Sequence, residues 1–140
     1  MSQSFTEDKG VQQVAEAYAA DAISFAKAVF NIELDWSDES IEIIEEILDV
    51  LHQDARKNSP AEDRIMGFAK ALGSYVGEVF RRNYGAAWGL VHIGDDTFPG
   101  LQAQNTSGVF WPWGKARNRI VNGEEDNVLL YYNMLVRENS

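Results

Sequence analysis

The hydrophobic period of the chain changes at Gly85, and this change restricts the folds available to it. Before Gly85 the apolar residues recur at steps of three and four, which is typical of amphipathic helices. After Gly85, residues 86–93 form a short apolar run that ends at the turn sequence Gly94-Asp95-Asp96-Thr97. Helices that precede strands in separate blocks predict an α+β fold.

Two amphipathic helices are predicted in the first part of the chain. The first covers residues 7–30, and its apolar face consists of Val11, Val14, Tyr18, Ala22, Phe25 and Val29. The second begins at Ser37, a good N-cap residue, and ends near Ala55. Trp36 precedes this cap and is placed to pack on Ile41 as a hydrophobic staple. The apolar face of the second helix consists of Ile41, Ile44, Ile47, Leu48 and Leu51.

A third helix is predicted between a capping box at residues 59–62 and Gly85, with Pro60 in the first helical position. Its apolar stripe consists of Ile65, Ala69, Leu72, Val76 and Val79. Its interior also contains Gly67, Gly73 and Gly77, and each glycine costs a helix about 1 kcal/mol relative to alanine. The glycines indicate the close approach of a neighbouring element, so we expect this helix to be the central one.

Short strands and further helices are predicted after Gly85. The strands cover residues 86–93, 101–104 and 108–111, and a helix from Pro112 to Val121 ends at Asn122-Gly123. Residues 128–136 are predicted as a last helix, although residues 128–132 equally suit a strand. We expect residues 1–140 to form a single domain, in which N-terminal helices pack on a small antiparallel sheet and helical segments follow.

The composition argues against several functional classes. The chain has no cysteine, which excludes disulfides, thiolate zinc sites and cysteine nucleophiles. Its two histidines, His52 and His92, belong to no zinc-binding motif, and Asp95 and Asp96 near His92 suit a turn better than a metal site, so neither a metal nor a cofactor is expected. The N-terminus does not have the pattern of a signal peptide, and no apolar run approaches the roughly 20 residues of a membrane span. We therefore expect a cytoplasmic protein that does not bind membranes.

The net charge of −10 is concentrated near the N-terminus, where residues 1–58 contain 13 acidic and 4 basic residues. Acidic proteins repel phosphate backbones, which argues against nucleic acid as a ligand, and they attract basic proteins. The polar side of the second helix carries Glu42, Glu45, Glu46 and Asp49. We expect these four residues to bind a basic protein partner. The alternative is that the charge only maintains solubility.

Aromatic residues around a carboxylate form a second candidate site. Glu78 lies on the third helix, three and four residues before its potential ion-pair partners Arg81 and Arg82. Trp88 lies in the first predicted strand, and Trp111 and Trp113 belong to an aromatic cluster that basic residues follow. A pocket around these side chains would suit a small-molecule-binding module or an enzyme of unrecognised type: Glu78, Trp88, Trp111 and Trp113. The alternative is that the tryptophans fill the core between sheet and helix.

Four short motifs of glycines and aromatic residues lie within residues 33–123. They are Leu34-Asp35-Trp36-Ser37-x-x-Ser40-Ile41, Leu72-Gly73-x-Tyr75-x-Gly77-Glu78, Gly85-x-x-Trp88, and Trp111-Pro112 with Lys115. This set resembles a widespread group of small bacterial domains of unknown function, some of which look like immunity or accessory proteins encoded near secreted toxins. The resemblance implies an α+β domain of bacterial origin, and it assigns no catalytic residues to this chain. Together with the acidic first half, it leads us to expect a non-enzymatic protein that occludes a basic toxin.

Overall fold

The computed structural model describes residues 3–139, which form five α-helices and one four-stranded antiparallel sheet. The predicted α+β fold is confirmed. The elements in chain order are β1 (Gln3–Glu7), α1 (Lys9–Phe30), α2 (Ser40–Asn58), α3 (Glu62–Tyr84), β2 (Ala86–Ile93), β3 (Asp96–Ala103), β4 (Val109–Phe110), α4 (Pro112–Asn122), a 3-10 turn (Glu124–Asp126) and α5 (Val128–Asn139).

Helix α3 is the central helix, as its glycines predicted, and every residue from 72 to 80 is buried. A Cβ atom on Gly73 would lie 2.5 Å from the carbonyl oxygen of Pro112, at the start of α4. A Cβ atom on Gly77 would lie 2.5 Å from the ring of Trp88 in β2. These two glycines therefore let α4 and β2 approach α3. Gly67 is different, because a Cβ atom there would have no neighbour within 4 Å, so the packing role predicted for it is wrong.

The buried face of α1 agrees with the prediction only in part, because Ala22 is buried and Val11, Tyr18 and Phe25 are partly buried. Its buried residues are Ala15, Ala19, Ala22 and Ala26, whereas Val14 is 45% exposed and Val29 is 59% exposed. Small side chains allow two helix backbones to approach closely, and α1 packs on α3 along its length. The prediction was wrong at Val14 and Val29 and missed Ala15, Ala19 and Ala26, because it gave weight to large apolar residues, while the close contact here requires small ones.

The junctions of α2 differ from the prediction at both ends. The helix begins at Ser40, where the Ser37 hydroxyl accepts a hydrogen bond from the Ser40 amide at 3.2 Å. The four residues Ile41, Ile44, Ile47 and Leu48 are buried, which confirms most of the predicted face. Ser59 adopts the left-handed conformation (φ 44°) and ends α2. It therefore cannot act as the N-cap of α3, and the predicted capping box does not form.

The sheet has the order β1-β2-β3-β4, and every neighbouring pair is antiparallel. Strand β2 has the predicted bounds. Strand β3 begins at Asp96, five residues earlier than predicted, because a tight turn at Gly94 (φ 59°) and Asp95 makes a longer hairpin. Strand β1 was not predicted: it is a short edge strand with only Phe5 partly buried, so it shows no alternation of apolar and polar residues.

The C-terminal part of the described chain is helical. Helix α4 ends one residue later than predicted, at a C-cap formed by Gly123 with φ 99°. Residues 128–139 form α5, so the strand alternative for residues 128–132 is excluded. Across residues 3–139, none of the helices combines the length and the apolar character that crossing a bilayer requires.

Candidate functional site

The four acidic residues predicted to bind a partner do not form one uniform face of α2. Glu42 and Glu46 are exposed, whereas Glu45 and Asp49 bind Arg119 of α4, which is only 1% exposed. Arg119 donates from Nε to Glu45 at 2.8 Å and from Nη2 to Asp49 at 2.9 Å. The second Glu45 oxygen accepts the amide of Val128 at 2.8 Å. Glu45 and Asp49 therefore have an internal role, because they connect α2 to the C-terminal helices.

The charge of Arg119 is maintained by these contacts. Burial alone would lower the pKa of the guanidinium, but the hydrogen bonds that it donates to Asp49 and Glu45 outweigh burial and raise the pKa. Arg119 therefore stays charged, and it neutralises one of the two carboxylates that it binds.

An acidic cleft opens beside this ion-pair group, with a cavity volume of about 440 Å³. Its lining consists of Glu45, Glu46, Asp49, Val50, Arg119, Glu124 and Asn127. Four carboxylates face a single guanidinium in the cleft, so its lining carries three net negative charges. Three of the four predicted binding residues therefore lie together, and the sequence did not reveal that Glu124 joins them from the 3-10 turn.

An apolar depression of about 140 Å³ adjoins the acidic cleft. Phe30, Ile32, Ile43 and Ile47 line it, and Glu46 and Val50 belong to the walls of both concavities. Val50 is 50% exposed, which is high for a large apolar side chain on the middle of a helix. We call the two concavities and the ridge of Glu46 and Val50 between them the α2 surface.

Glu78 and Trp88 form a buried network and do not line a cleft. Glu78 is fully buried, and its Oε2 accepts hydrogen bonds from the Trp88 indole at 2.8 Å and from Arg81 at 2.6 Å. Its Oε1 accepts from Arg81 at 2.9 Å and from Arg82 at 3.4 Å. Burial alone would raise the pKa of Glu78, but the hydrogen bonds from Arg81 and Trp88 outweigh it and lower the pKa.

The other two members of the predicted pocket lie elsewhere. Trp113 donates to the Ser74 hydroxyl at 2.6 Å and packs edge-on against Tyr18 of α1, with ring centroids 5.9 Å apart. Trp111 is half-buried at the start of α4. The four side chains therefore do not surround one pocket, because the space that Gly77 leaves on α3 is filled by the Trp88 ring.

The motif residues around Trp36 form a structural cluster. Trp36 stacks on Tyr75 with ring centroids 4.9 Å apart, and the Arg82 guanidinium lies 3.7 Å from the Trp36 ring centroid. The Tyr75 hydroxyl accepts the Trp36 amide at 3.0 Å and shares a hydrogen bond of 2.6 Å with the Ser40 hydroxyl. These contacts hold the segment between α1 and α2 against α3.

Asp38 is a partly buried junction that the sequence did not indicate. Its carboxylate accepts hydrogen bonds from the hydroxyls of Tyr84 and Tyr132 and from the amide of Asn83. The hydrogen bond to Asp38 raises the pKa of Tyr84 to about 12, so the phenol remains a donor at neutral pH. The carboxylate thus links the start of α2 with the end of α3 and with α5.

The described residues contain no group of three or more histidine, cysteine, aspartate or glutamate side chains placed to hold a metal ion. His52 instead contacts the Ile120 carbonyl through Nδ1 at 2.7 Å. The His92 ring lies between the hydroxyls of Thr6 and Thr97, at 3.1 and 3.2 Å. Both histidines therefore have structural partners.

Comparison with known proteins identifies the fold only. No protein-family model matches the chain, and no curated protein matches it. A crystal structure of a protein of unassigned function from Bacteroides thetaiotaomicron VPI-5482, at 1.50 Å resolution, has a similar fold, with a TM-score of 0.71 and 16% sequence identity. The match covers 99% of this chain and 48% of that chain, so this chain spans about half the length of its structural neighbour.

Proposed function

We propose that this chain is a non-enzymatic protein that binds a basic protein partner through the α2 surface. The observation that carries the proposal is the ridge of Glu46 and Val50, which separates an apolar depression from an acidic cleft. Protein interfaces combine an apolar anchor in a pocket with a polar and charged rim. The α2 surface offers both features within a few residues of one helix.

The partner's contact residues follow from this arrangement. An apolar side chain would enter the depression lined by Phe30, Ile32 and Ile47, and burying such a side chain is worth about 1.5–3 kcal/mol. A lysine or arginine side chain would enter the acidic cleft, where Glu46 and Glu124 have no internal ion-pair partner among the described residues. The apolar contact would supply affinity, and the charges would speed the encounter.

An immunity role is the specific form of this proposal. The net charge of −10 suits inhibition of a basic toxin, and the motifs from Leu34 to Lys115 resemble domains that include immunity-like proteins. In that role the chain would act in the cytoplasm, where it would cover the functional surface of the toxin. A catalytic role for Glu78 has less support, because this carboxylate is fully buried and both its oxygens already accept hydrogen bonds.

The proposal is tested by affinity capture from the cells that produce the chain, with the partner then purified and its Kd measured. Val50→Asp tests the apolar half of the α2 surface, and Glu46→Lys tests the acidic half. Both side chains are exposed, so both variants should fold. The matched control is Asp95→Lys, which makes the same charge change in the β2–β3 turn.

We expect a basic partner whose activity the wild-type chain inhibits at a one-to-one ratio. Each α2 variant should weaken binding by about tenfold or more, which corresponds to about 1.4 kcal/mol, and Asp95→Lys should bind within about twofold of wild type. Equal binding by all four proteins would show that the α2 surface is not the interface. A partner that is bound without loss of activity would contradict the immunity role.

A further inference from the structure

A third concavity, of about 350 Å³, lies between α1 and α3. Tyr18, Asp21 and Phe25 line it from α1, and Arg64, Gly67 and Phe68 line it from α3. The volume lies in the range of small-ligand sites, which are mostly apolar with a few polar groups that orient the ligand. We call this concavity the α1–α3 groove.

Gly67 indicates that the groove has a use. An interior glycine lowers the stability of a helix relative to alanine. The other two interior glycines of α3 are explained by the elements packed against them, but a Cβ atom on Gly67 would meet nothing within 4 Å. Internal packing therefore does not explain this glycine. Its effect is to keep the wall of the groove free of a side chain.

The two charged residues of the groove lie toward its opposite ends. Helices α1 and α3 are antiparallel, because Glu16 pairs with Arg81 at one end and the rings of Phe25 and Phe68 meet at the other, with centroids 5.1 Å apart. In this alignment Asp21 lies toward the Arg81 end, and Arg64 lies beyond Phe68. Neither Asp21 nor Arg64 has an ion-pair partner among residues 3–139. The Arg64 guanidinium lies 5.3 Å from the Phe68 ring centroid.

We propose that the α1–α3 groove binds a short free peptide with apolar side chains. The ammonium of the peptide would face Asp21, its carboxylate would face Arg64, and its side chains would pack on Tyr18, Phe25 and Phe68. The length agrees: Asp21 lies about 6 Å along α1 from Phe25, and Arg64 lies about 6 Å along α3 beyond Phe68, so the two are about 12 Å apart along the groove. An extended chain of three to four residues spans about 10–14 Å. This site is separate from the α2 surface, and neither proposal depends on the other.

The test uses the tripeptide Ala-Phe-Leu as the probe, in the free form, with an acetylated N-terminus, and with an amidated C-terminus. Binding is measured by calorimetry, and the site is located by amide chemical-shift changes. We expect the free peptide to shift amides of residues 18–25 and 64–72. Each blocked terminus should weaken binding by about three- to tenfold. Blocked peptides that bind as well as the free one, or shifts confined to other residues, would overturn the proposal.

Variants assign each terminus to its residue. Asp21→Asn should weaken binding of the free peptide and leave binding of the acetylated peptide unchanged. Arg64→Gln should weaken binding of the free peptide and leave binding of the amidated peptide unchanged. Gly67→Leu should fill the groove and lower affinity by about tenfold or more without loss of helical signal, since nothing opposes the new side chain. The control is Asp63→Asn, an exposed change on the same turn of α3 outside the groove. Wild-type affinity in Gly67→Leu, or no binding of the free peptide at millimolar concentration, would overturn the proposal.

Discussion

The carboxylate of Glu78 joins the central helix to the sheet. A buried charge is costly unless hydrogen bonds and an opposite charge compensate for it, and Glu78 receives both from Arg81 and from the Trp88 indole. Arg81 also forms an ion pair with Glu16 on α1 at 3.4 Å, so α1, α3 and β2 meet at this point. The same arrangement explains how the Glu78 carboxylate can be fully buried and still charged.

We predict that Glu78→Gln lowers the free energy of unfolding at pH 7 by about 2–4 kcal/mol, because it leaves Arg81 and Arg82 without their buried counter-charge. The control is Glu16→Gln, which removes the more exposed partner of Arg81 and should cost less than about 1 kcal/mol. Urea unfolding followed by circular dichroism measures both. Equal stability of Glu78→Gln and wild type would show that the charge of Glu78 contributes nothing.

The difference in unfolding free energy between wild type and Glu78→Gln should decrease as the pH falls. The pKa of Glu78 is lowered from 4.5 in the folded state, so its contribution is present above about pH 4.5 and is lost as the pH falls through the lower folded value. Wild type and Glu78→Gln should therefore differ most at neutral pH and converge in acid. A gap that stays constant down to pH 3 would contradict the lowered pKa.

Alanine substitutions at two glycines of α3, ten residues apart, are predicted to change the stability of the protein in opposite directions. Gly77→Ala should destabilise the protein by about 1–2 kcal/mol, because a Cβ atom 2.5 Å from the Trp88 ring forces a shift that outweighs the gain in helix propensity. Gly67→Ala should stabilise it by about 0.5–1 kcal/mol, because its Cβ meets nothing. Thermal and urea unfolding give both values. Stabilisation by Gly77→Ala would mean that Trp88 can move aside freely.

Elements with one large apolar face and clear end signals could be predicted from the sequence. The buried face of α2, strand β2 and the Gly123 end of α4 all belong to this class. The buried face of α1 could not be predicted, since alanine carries little hydrophobic signal and its burial depends on how closely α3 approaches. Strand β1 likewise has no signal in the sequence, because this exposed edge strand is formed only by its pairing with β2.

The candidate sites show the same limit. The acidic residues of α2 were visible as a pattern, but their helical spacing could not reveal that a buried arginine from α4 binds two of them. Glu124 and the apolar residues Phe30 and Ile32 reach the α2 surface from other elements, and no local pattern links them to it. The α1–α3 groove had one local sign, an interior glycine at position 67, which the sequence alone could not distinguish from the packing glycines 73 and 77.

At the level of elements, Glu45 is predicted to matter for stability and Glu46 to matter little. Glu45→Gln removes the charge that faces Arg119 and weakens the bond to the Val128 amide, so it should cost about 1–3 kcal/mol. Asp49 remains as a second partner of Arg119, which limits the loss. Glu46→Gln changes an exposed side chain and should stay within about 0.5 kcal/mol of wild type. Urea unfolding distinguishes them, and equal stability of the two variants would contradict the assignment of Glu45 as a link between helices.

On the scale of the whole molecule, part of the acidic charge is bound in ion pairs. Glu45, Asp49, Glu62, Glu78 and Asp126 pair with basic side chains, and three of the basic residues after Trp113 are held in these pairs: Lys115, Arg117 and Arg119. The field that a partner meets comes from the remaining exposed carboxylates. A role for the α2 surface therefore depends on where these carboxylates lie as well as on the net charge.

The last prediction separates local charge from net charge. Glu42→Gln with Glu46→Gln removes two exposed charges from α2, and Asp95→Asn with Glu138→Gln removes two exposed charges elsewhere, so both double variants have a net charge of −8 compared with −10 in the wild-type chain. If the captured partner docks on the α2 surface, the α2 pair should associate several-fold more slowly at low salt, and the distant pair should associate almost like wild type. Near 1 M salt the Debye length is about 3 Å, so all three proteins should associate at similar rates. Stopped-flow association at several salt concentrations measures this. Equal slowing by the two double variants would show that net charge alone steers the partner, and would remove the electrostatic argument for docking at α2.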